Sequence, residues 1–287
     1  MVKLKRFFVG LKGSYIALIL LFLYSPIAVM IAFSFNEGKS RAKWEGFSFK
    51  WYARLFENAD ILDALKVTLI VAAIATVVSV ILGTLGAIGI HACKKGYASA
   101  MINLSYLPMT MPDIVTGVSL MMMFTFSLPM INPILSDISA WLSALFKKDI
   151  DLTIERGMFT MILAHITFDT PYVLFSVLPK LKQMDPNSYE AALDLGCRPM
   201  TAIRKVIIPE ISPGIITGAL LALTMSLDDF VISYFTTEKT QNLSILVYSA
   251  AKRGVKPDIY ALSTIMFLTV LALLIVVNKR STLEDIG

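Results

Sequence analysis

Residues 188–214 read SYEAALDLGCRPMTAIRKVIIPEISPG, a polar, helix-forming segment set between two strongly apolar stretches. Just upstream, Asp185-Pro186 predicts a helix start, with aspartate as N-cap and proline at the first helical position. From Ser188 to Leu195 the segment propagates well as helix, and Tyr189, Ala192, Leu193 and Leu195 give it an apolar face. Gly196 is a natural stop, because glycine enters the left-handed conformation that closes a helix without steric cost. Pro199 then opens a second short helix, expected to end at Pro209. Arg198, Arg204 and Lys205 lie near the membrane. The product is a helix–Gly–helix elbow, and a membrane chain that carries one on its cytoplasmic side has a surface to offer a soluble partner.

The rest of the chain supplies the membrane part. Of 287 residues, 56% are hydrophobic and 16% charged, against about 25% charged in an average soluble domain. The mean hydropathy is +0.70. Crossing a bilayer takes about 20 apolar residues, and six runs qualify: 15–35, 65–90, 101–128, 157–179, 214–235 and 259–278. An all-α integral membrane protein follows. It is expected to form one transmembrane domain over 1–287, with core helices at 65–278 and the elbow at 185–210.

Lys3, Lys5, Arg6 and Lys12 precede the first run and place the N-terminus in the cytoplasm. That run is too long for a signal-peptide core and lacks a small-x-small cleavage site, so an uncleaved first helix is expected. Six spans return Lys279 and Arg280 to the same side. The basic residues divide about evenly between the two sides, so orientation rests on their density in the short cytoplasmic segments. The mild basic excess calls for no nucleic acid. Cys93 and Cys197 both fall on the reducing side, without a second Cys or His at metal-ligand spacing, so neither a disulfide nor a metal site is expected.

Other segments are structural in reading. Trp44, Phe47, Trp51, Tyr52 and Phe56 alternate with charges in the first exterior segment, as in an aromatic anchor at the bilayer surface. Ser79, Gly83, Gly86, Ala87 and Gly89 recur at three- and four-residue spacing, which lets two helix backbones approach closely. Pro108 and Pro112 predict a break or kink in the third run. Residues 138–146, with Trp141, predict a short interfacial helix in the second exterior segment.

Four carboxylates fall inside apolar runs: Asp113, Asp169, Asp228 and Asp229. A charged Asp at a helix centre costs ~2.5–3.5 kcal/mol on insertion scales, so such residues face a cavity or a partner. No Lys or Arg lies at comparable depth, and acids without basic partners suit the path of a cation. Each has a structural alternative. Asp113 can cap the helix restarting after Pro112. Asp169 lies four residues after His165 and can hydrogen-bond it. Asp228 and Asp229 lie near the exterior end of their span, where water reaches. His165 reads as a satisfied interior histidine, and Tyr172, Tyr234 and Phe235 could offer faces to a cation.

The elbow resembles the EAA loop of permease subunits in binding-protein-dependent ABC importers. That pattern is Glu-Ala-Ala, three residues, Gly, nine residues, Ile, one residue, Leu-Pro. Glu190, Ala191, Ala192, Gly196 and Pro209 match in register, while Val206 and Ile208 substitute conservatively. More of the chain is similar to the C-type permease subunits of spermidine/putrescine importers. The matching stretches are W-x-G-F-x-x-K-W-Y at 44–52, H-I-T-F at 165–168, S-L-D-D at 226–229 and G-V-x-P-x-x-x-A-L-x-T at 254–264, with M-x-P-D-I-V matched loosely by MTMPDIV at 109–115, which offers Met109 or Met111 for its Met.

The resemblance implies a type I importer fold in a bacterial cell membrane, with the elbow as the coupling helix docked in an ATPase groove. It implies two ABC ATPases, a sister permease and an extracytoplasmic polyamine-binding protein as partners. Transport would be by alternating access. The chain lacks G-x-x-x-x-G-K-[ST], so no cofactor is expected here, and ATP and Mg would be bound by the partner ATPase in a subunit that is itself no enzyme. A permease for another solute is the first alternative. An ion-coupled secondary transporter is the second, and it leaves the EAA segment without a purpose.

Overall fold

A computed structural model describes residues 2–38, 43–146, 151–185, 187–253 and 257–284. Twelve α-helices occur among them: α1 Val2–Ser34, α2 Lys50–Glu57, α3 Ala59–Ala92, α4 Lys95–Thr110, α5 Asp113–Phe146, α6 Met158–Gln183, α7 Asn187–Asp194, α8 Pro199–Ala202, α9 Ile208–Asp228, α10 Val231–Thr236, α11 Leu243–Arg253 and α12 Pro257–Glu284. Five stretches are long and apolar enough to cross a membrane: Tyr15–Ser34, Ala59–Ala92, Asp113–Ser143, Met158–Gln183 and Pro199–Asp228. The sixth expected span is α12, whose apolar described stretch is Pro257–Ala272.

The chain divides into two compact units, Met1–Leu62 with Ser249–Asn278 and Asp63–Tyr248 with Lys279–Gly287. In the first, the segment after α1 folds around Asn36, which is buried. Its side chain donates to the Lys43 carbonyl (2.9 Å) and accepts from the Glu45 amide (2.8 Å). Its own carbonyl accepts the Trp51 indole N–H at 2.6 Å. The aromatic segment thus splits into two groups. Trp51 and Leu55 of amphipathic α2 turn inward, while Trp44, Phe47 and Phe56 stay exposed, as an interface anchor requires.

The second unit is built around α6, the most buried of the spanning helices. Small residues let its neighbours reach it. A Cβ on Gly83 of α3 would lie 2.7 Å from the Val173 Cβ, and one on Gly218 of α9 would lie 3.0 Å from the Val173 Cα. A Cβ on Gly214 would lie 2.8 Å from the Ser176 carbonyl oxygen. Ser79 donates to the Ile166 carbonyl at 3.2 Å. The small-residue stripe read in α3 therefore has α6 as its partner, although Gly89 faces open space. Around this contact Ala87, Val173, Leu174, Val177, Leu178, Ile207 and Ile211 form one apolar cluster.

The break expected in the third run is present: Met111 is held extended (ψ 144°) by the proline after it, and α5 starts afresh at Asp113. Two expectations change. Residues 138–146 are no separate interfacial helix. They continue α5, which runs unbroken past Pro129 and Pro133 to Phe146. The fifth run ends at Asp228, not near 235, and α10 is a separate short helix.

Candidate functional site

The elbow forms as its sequence demands. The Asp185 carboxylate accepts the Asn187 amide at 2.9 Å and starts α7, while Pro186 lies outside the described residues. At the other end the Gly196 amide reaches the Leu193 carbonyl (2.9 Å) and the Cys197 amide reaches the Ala192 carbonyl (3.1 Å). With Gly196 at φ +84°, this is a Schellman closure. Pro199 opens α8. Pro209, however, does not end the second helix. A π-helical turn at Ile203–Ile207 connects α8 to α9, with the Ile208 amide bonded to the Ile203 carbonyl five residues back. Pro209 then occupies the first turn of α9, where its missing N–H costs little. The second helix of the elbow and the fifth span are consequently one continuous helical rod of 30 residues, Pro199–Asp228.

Of the residues expected to couple, Glu190, Ala191, Gly196 and Pro209 are exposed and Ala192 is buried. Leu195 (86% exposed) and Met200 (74%) flank the turn. Cys93 and Cys197 are free thiols.

The second constellation joins α6, α9, α10 and α11. His165 of α6 is buried, its Nδ1 2.6 Å from the Ser226 hydroxyl and its Nε2 2.9 Å from the Ser233 hydroxyl. The Asp229 carboxylate lies 3.4 Å from Nε2. It also accepts the amides of Ile232 (3.2 Å) and Ser233 (2.7 Å), capping α10. Asn242 donates to the Ser233 hydroxyl at 2.8 Å, and its own oxygen accepts the Ile245 amide at 2.9 Å. Below it the Leu243 amide donates to the Thr68 hydroxyl of α3.

This network explains why the fifth span breaks at Asp229: the carboxylate supplies the partners that a continued helix would have supplied. It bears out His165 as a satisfied interior histidine. It does not contain the His165–Asp169 hydrogen bond that the spacing suggested, because both imidazole nitrogens are taken by serines. Replacing His165 with leucine leaves the buried Ser226 hydroxyl without its imidazole partner, at about 1–3 kcal/mol, and takes one partner each from Ser233 and Asp229, so thermal unfolding of the purified protein is expected several degrees lower. An unchanged midpoint would show that the network contributes nothing.

The four acids therefore differ. Asp229 is half-buried and committed. Asp228 is exposed. Asp113 is exposed in the first turn of α5, at the positive end of that helix's dipole. Asp169 is fully buried. Ser226 and Asp229 were visible in the sequence as S-L-D-D, but Ser233 and Asn242 carried no signal, since an isolated Ser or Asn in an apolar run names no partner.

The comparisons agree with this geometry. The family described as "Binding-protein-dependent transport system inner membrane component" matches residues 79–279. The spermidine/putrescine transport system permease protein PotC of Haemophilus influenzae is 32% identical over 273 residues, 95% of this chain and 96% of that protein. The putrescine transport system permease protein PotI of Escherichia coli is 35% identical over 251 residues, 85% of this chain and 81% of that protein. Among solved structures, a bacterial alginate ABC transporter in complex with an alginate pentasaccharide-bound periplasmic protein aligns with TM-score 0.66 at 19% identity. The alignment covers 98% of this chain and 95% of that one, and establishes the fold. With its spanning helices, its elbow and a family match that runs from α3 to the last helix, the chain belongs to the inner membrane components of binding-protein-dependent transport systems.

Proposed function

We propose that this chain is the permease subunit of an ABC importer that moves spermidine or putrescine into the cytoplasm. The observation that carries the coupling half is the elbow: a Schellman-closed helix presenting Leu195 and Met200, fused through a π turn to a membrane span. In this reading two ABC ATPases bind ATP and Mg and dock at Glu190, Ala191, Ala192, Gly196 and Pro209. Their closure tilts the rod, and the path between this chain and a sister permease opens to alternate sides. An extracytoplasmic binding protein delivers the cargo, and both termini lie in the cytoplasm. The chain itself performs no catalysis.

The cargo half rests on charge and on relatives. Those two relatives are named for spermidine and putrescine, and the spans here carry Asp113, Asp169, Asp228 and Asp229 with no Lys or Arg at similar depth. A fold shared with an alginate transporter leaves the sign of the cargo open, so the acids decide it for a cation. Asp228 is the acid to remove first, because it is exposed and stands outside the His165 network. In the importer reconstituted with its ATPases and binding protein, Asp228→Asn is expected to lower spermidine uptake about tenfold, the scale of one charge-assisted hydrogen bond, with assembly intact. Asp229→Asn should in addition lower the thermal midpoint, because it weakens the cap of α10. Wild-type uptake of a metal ion or sugar in place of polyamine would select the other-solute reading.

A further inference from the structure

Asp169 stands at the middle of α6, the most buried of the spanning helices, fully enclosed, and neither of its carboxylate oxygens has a hydrogen-bond partner. The buried groups of the His165 network are provided for. His165, one turn earlier, is held by Ser226 and Ser233; Asn242 by Ser233 and the Ile245 amide; Thr160 and Thr236 by backbone carbonyls. Asp229 spends its oxygens on two amides and the imidazole. An unpartnered carboxylate in this position opposes folding, since burial strips it of water and returns nothing. A fold keeps such a group where a ligand uses it.

The surroundings state what kind of ligand. Tyr172, one turn further along α6, is half-buried, and its ring meets that of Phe168 at 5.4 Å. A buried acid and a pair of aromatic rings thus stand within one turn of the same helix. An acid beside aromatic faces suits a flexible chain that ends in a positive charge and carries methylenes behind it. A primary ammonium brings three donors, enough to satisfy both Asp169 oxygens, and aromatic faces attract it as well. A bare divalent cation would need about six oxygen ligands, and the described residues hold no metal-binding group of His, Cys, Asp and Glu.

We infer that Asp169 is the occluded station of the path, holding one ammonium group of a di- or polyamine in transit, with Phe168 and Tyr172 along the methylenes. The inference rests on the polyamine reading above. In the state described here the station is closed, and α9 and α10 must part from α6 to admit the cargo.

The test uses the whole importer in proteoliposomes, with ATP-driven uptake of labelled putrescine and spermidine. Asp169→Asn and Asp169→Leu should each cut the maximal uptake rate at least tenfold. The half-saturating concentration, set by the binding protein, should stay put. ATPase stimulation by the loaded binding protein should persist, and the thermal midpoint should equal or exceed that of the wild type, because an unpartnered buried carboxylate has been removed. Uptake within twofold of wild type in Asp169→Asn would overturn the station. So would a lowered midpoint with lost assembly in both variants, which would make Asp169 a support of the fold. A wild-type importer that carries neither amine would instead overturn the polyamine reading, and it would do so before any substitution is made.

Discussion

A leucine at position 214 should prevent α9 from seating on α6, and the protein should fail to accumulate in folded form. The atom in the way is backbone: a Cβ there would lie 2.8 Å from the Ser176 carbonyl oxygen and 3.2 Å from the Val177 Cα. A flexible side chain could move aside, but the spine of the most buried helix cannot. Overpacking a well-filled core costs about 1–3 kcal/mol and occasionally more. A backbone clash at the largest helix–helix contact belongs at the upper end. Gly89 is the control, since a Cβ there meets nothing within 4 Å. Substitution of a helical glycine at an open position gains up to about 1 kcal/mol. Thermal unfolding in detergent should therefore separate Gly214→Leu sharply from Gly89→Leu, and equal midpoints would remove the close-packed α6–α9 contact from the account.

Valine at position 196 should abolish uptake while leaving the membrane helices folded. Gly196 sits at φ +84° with open space around its missing Cβ, so the penalty is purely conformational. A β-branched residue in the left-handed region is strained by about 1–3 kcal/mol, and the chain escapes by abandoning the Schellman closure. The angle between α7 and α8 then changes, and Leu195 and Met200 no longer meet their groove together. A tenfold or greater loss of transport is expected, with ATPase subunits lost on purification. Asparagine, which tolerates this conformation, should retain most activity at the same position. If valine and asparagine transported equally, the shape of the elbow would have no part in coupling.

These two glycines mark the divide between what could be read and what could not. Gly196 announces itself: it follows a capped amphipathic helix and precedes a proline, and both signals act over a few residues. Gly214 is one small residue among many in an apolar run. Its importance depends on Ser176 arriving opposite it from another helix, which no local pattern records. The proline breaks divide in the same way. The extended residue before Pro112 follows from local sterics, whereas the π turn that carries the helix past Pro209 depends on the packed surroundings of Ile207 and Ile211.

The sequence by itself determined that the chain spans a membrane, that it carries a helix–Gly–helix elbow, and that acids lie in its spans without basic partners. Each is a matter of composition or short-range spacing. Only the tertiary structure decided what surrounds each acid. Asp229 and Asp169 look alike as isolated charges in apolar runs. Folding gives one an imidazole and two amides, and encloses the other with nothing. The partners of a buried charge come from helices distant in the chain, and distance along the chain is the one thing a local reading cannot close.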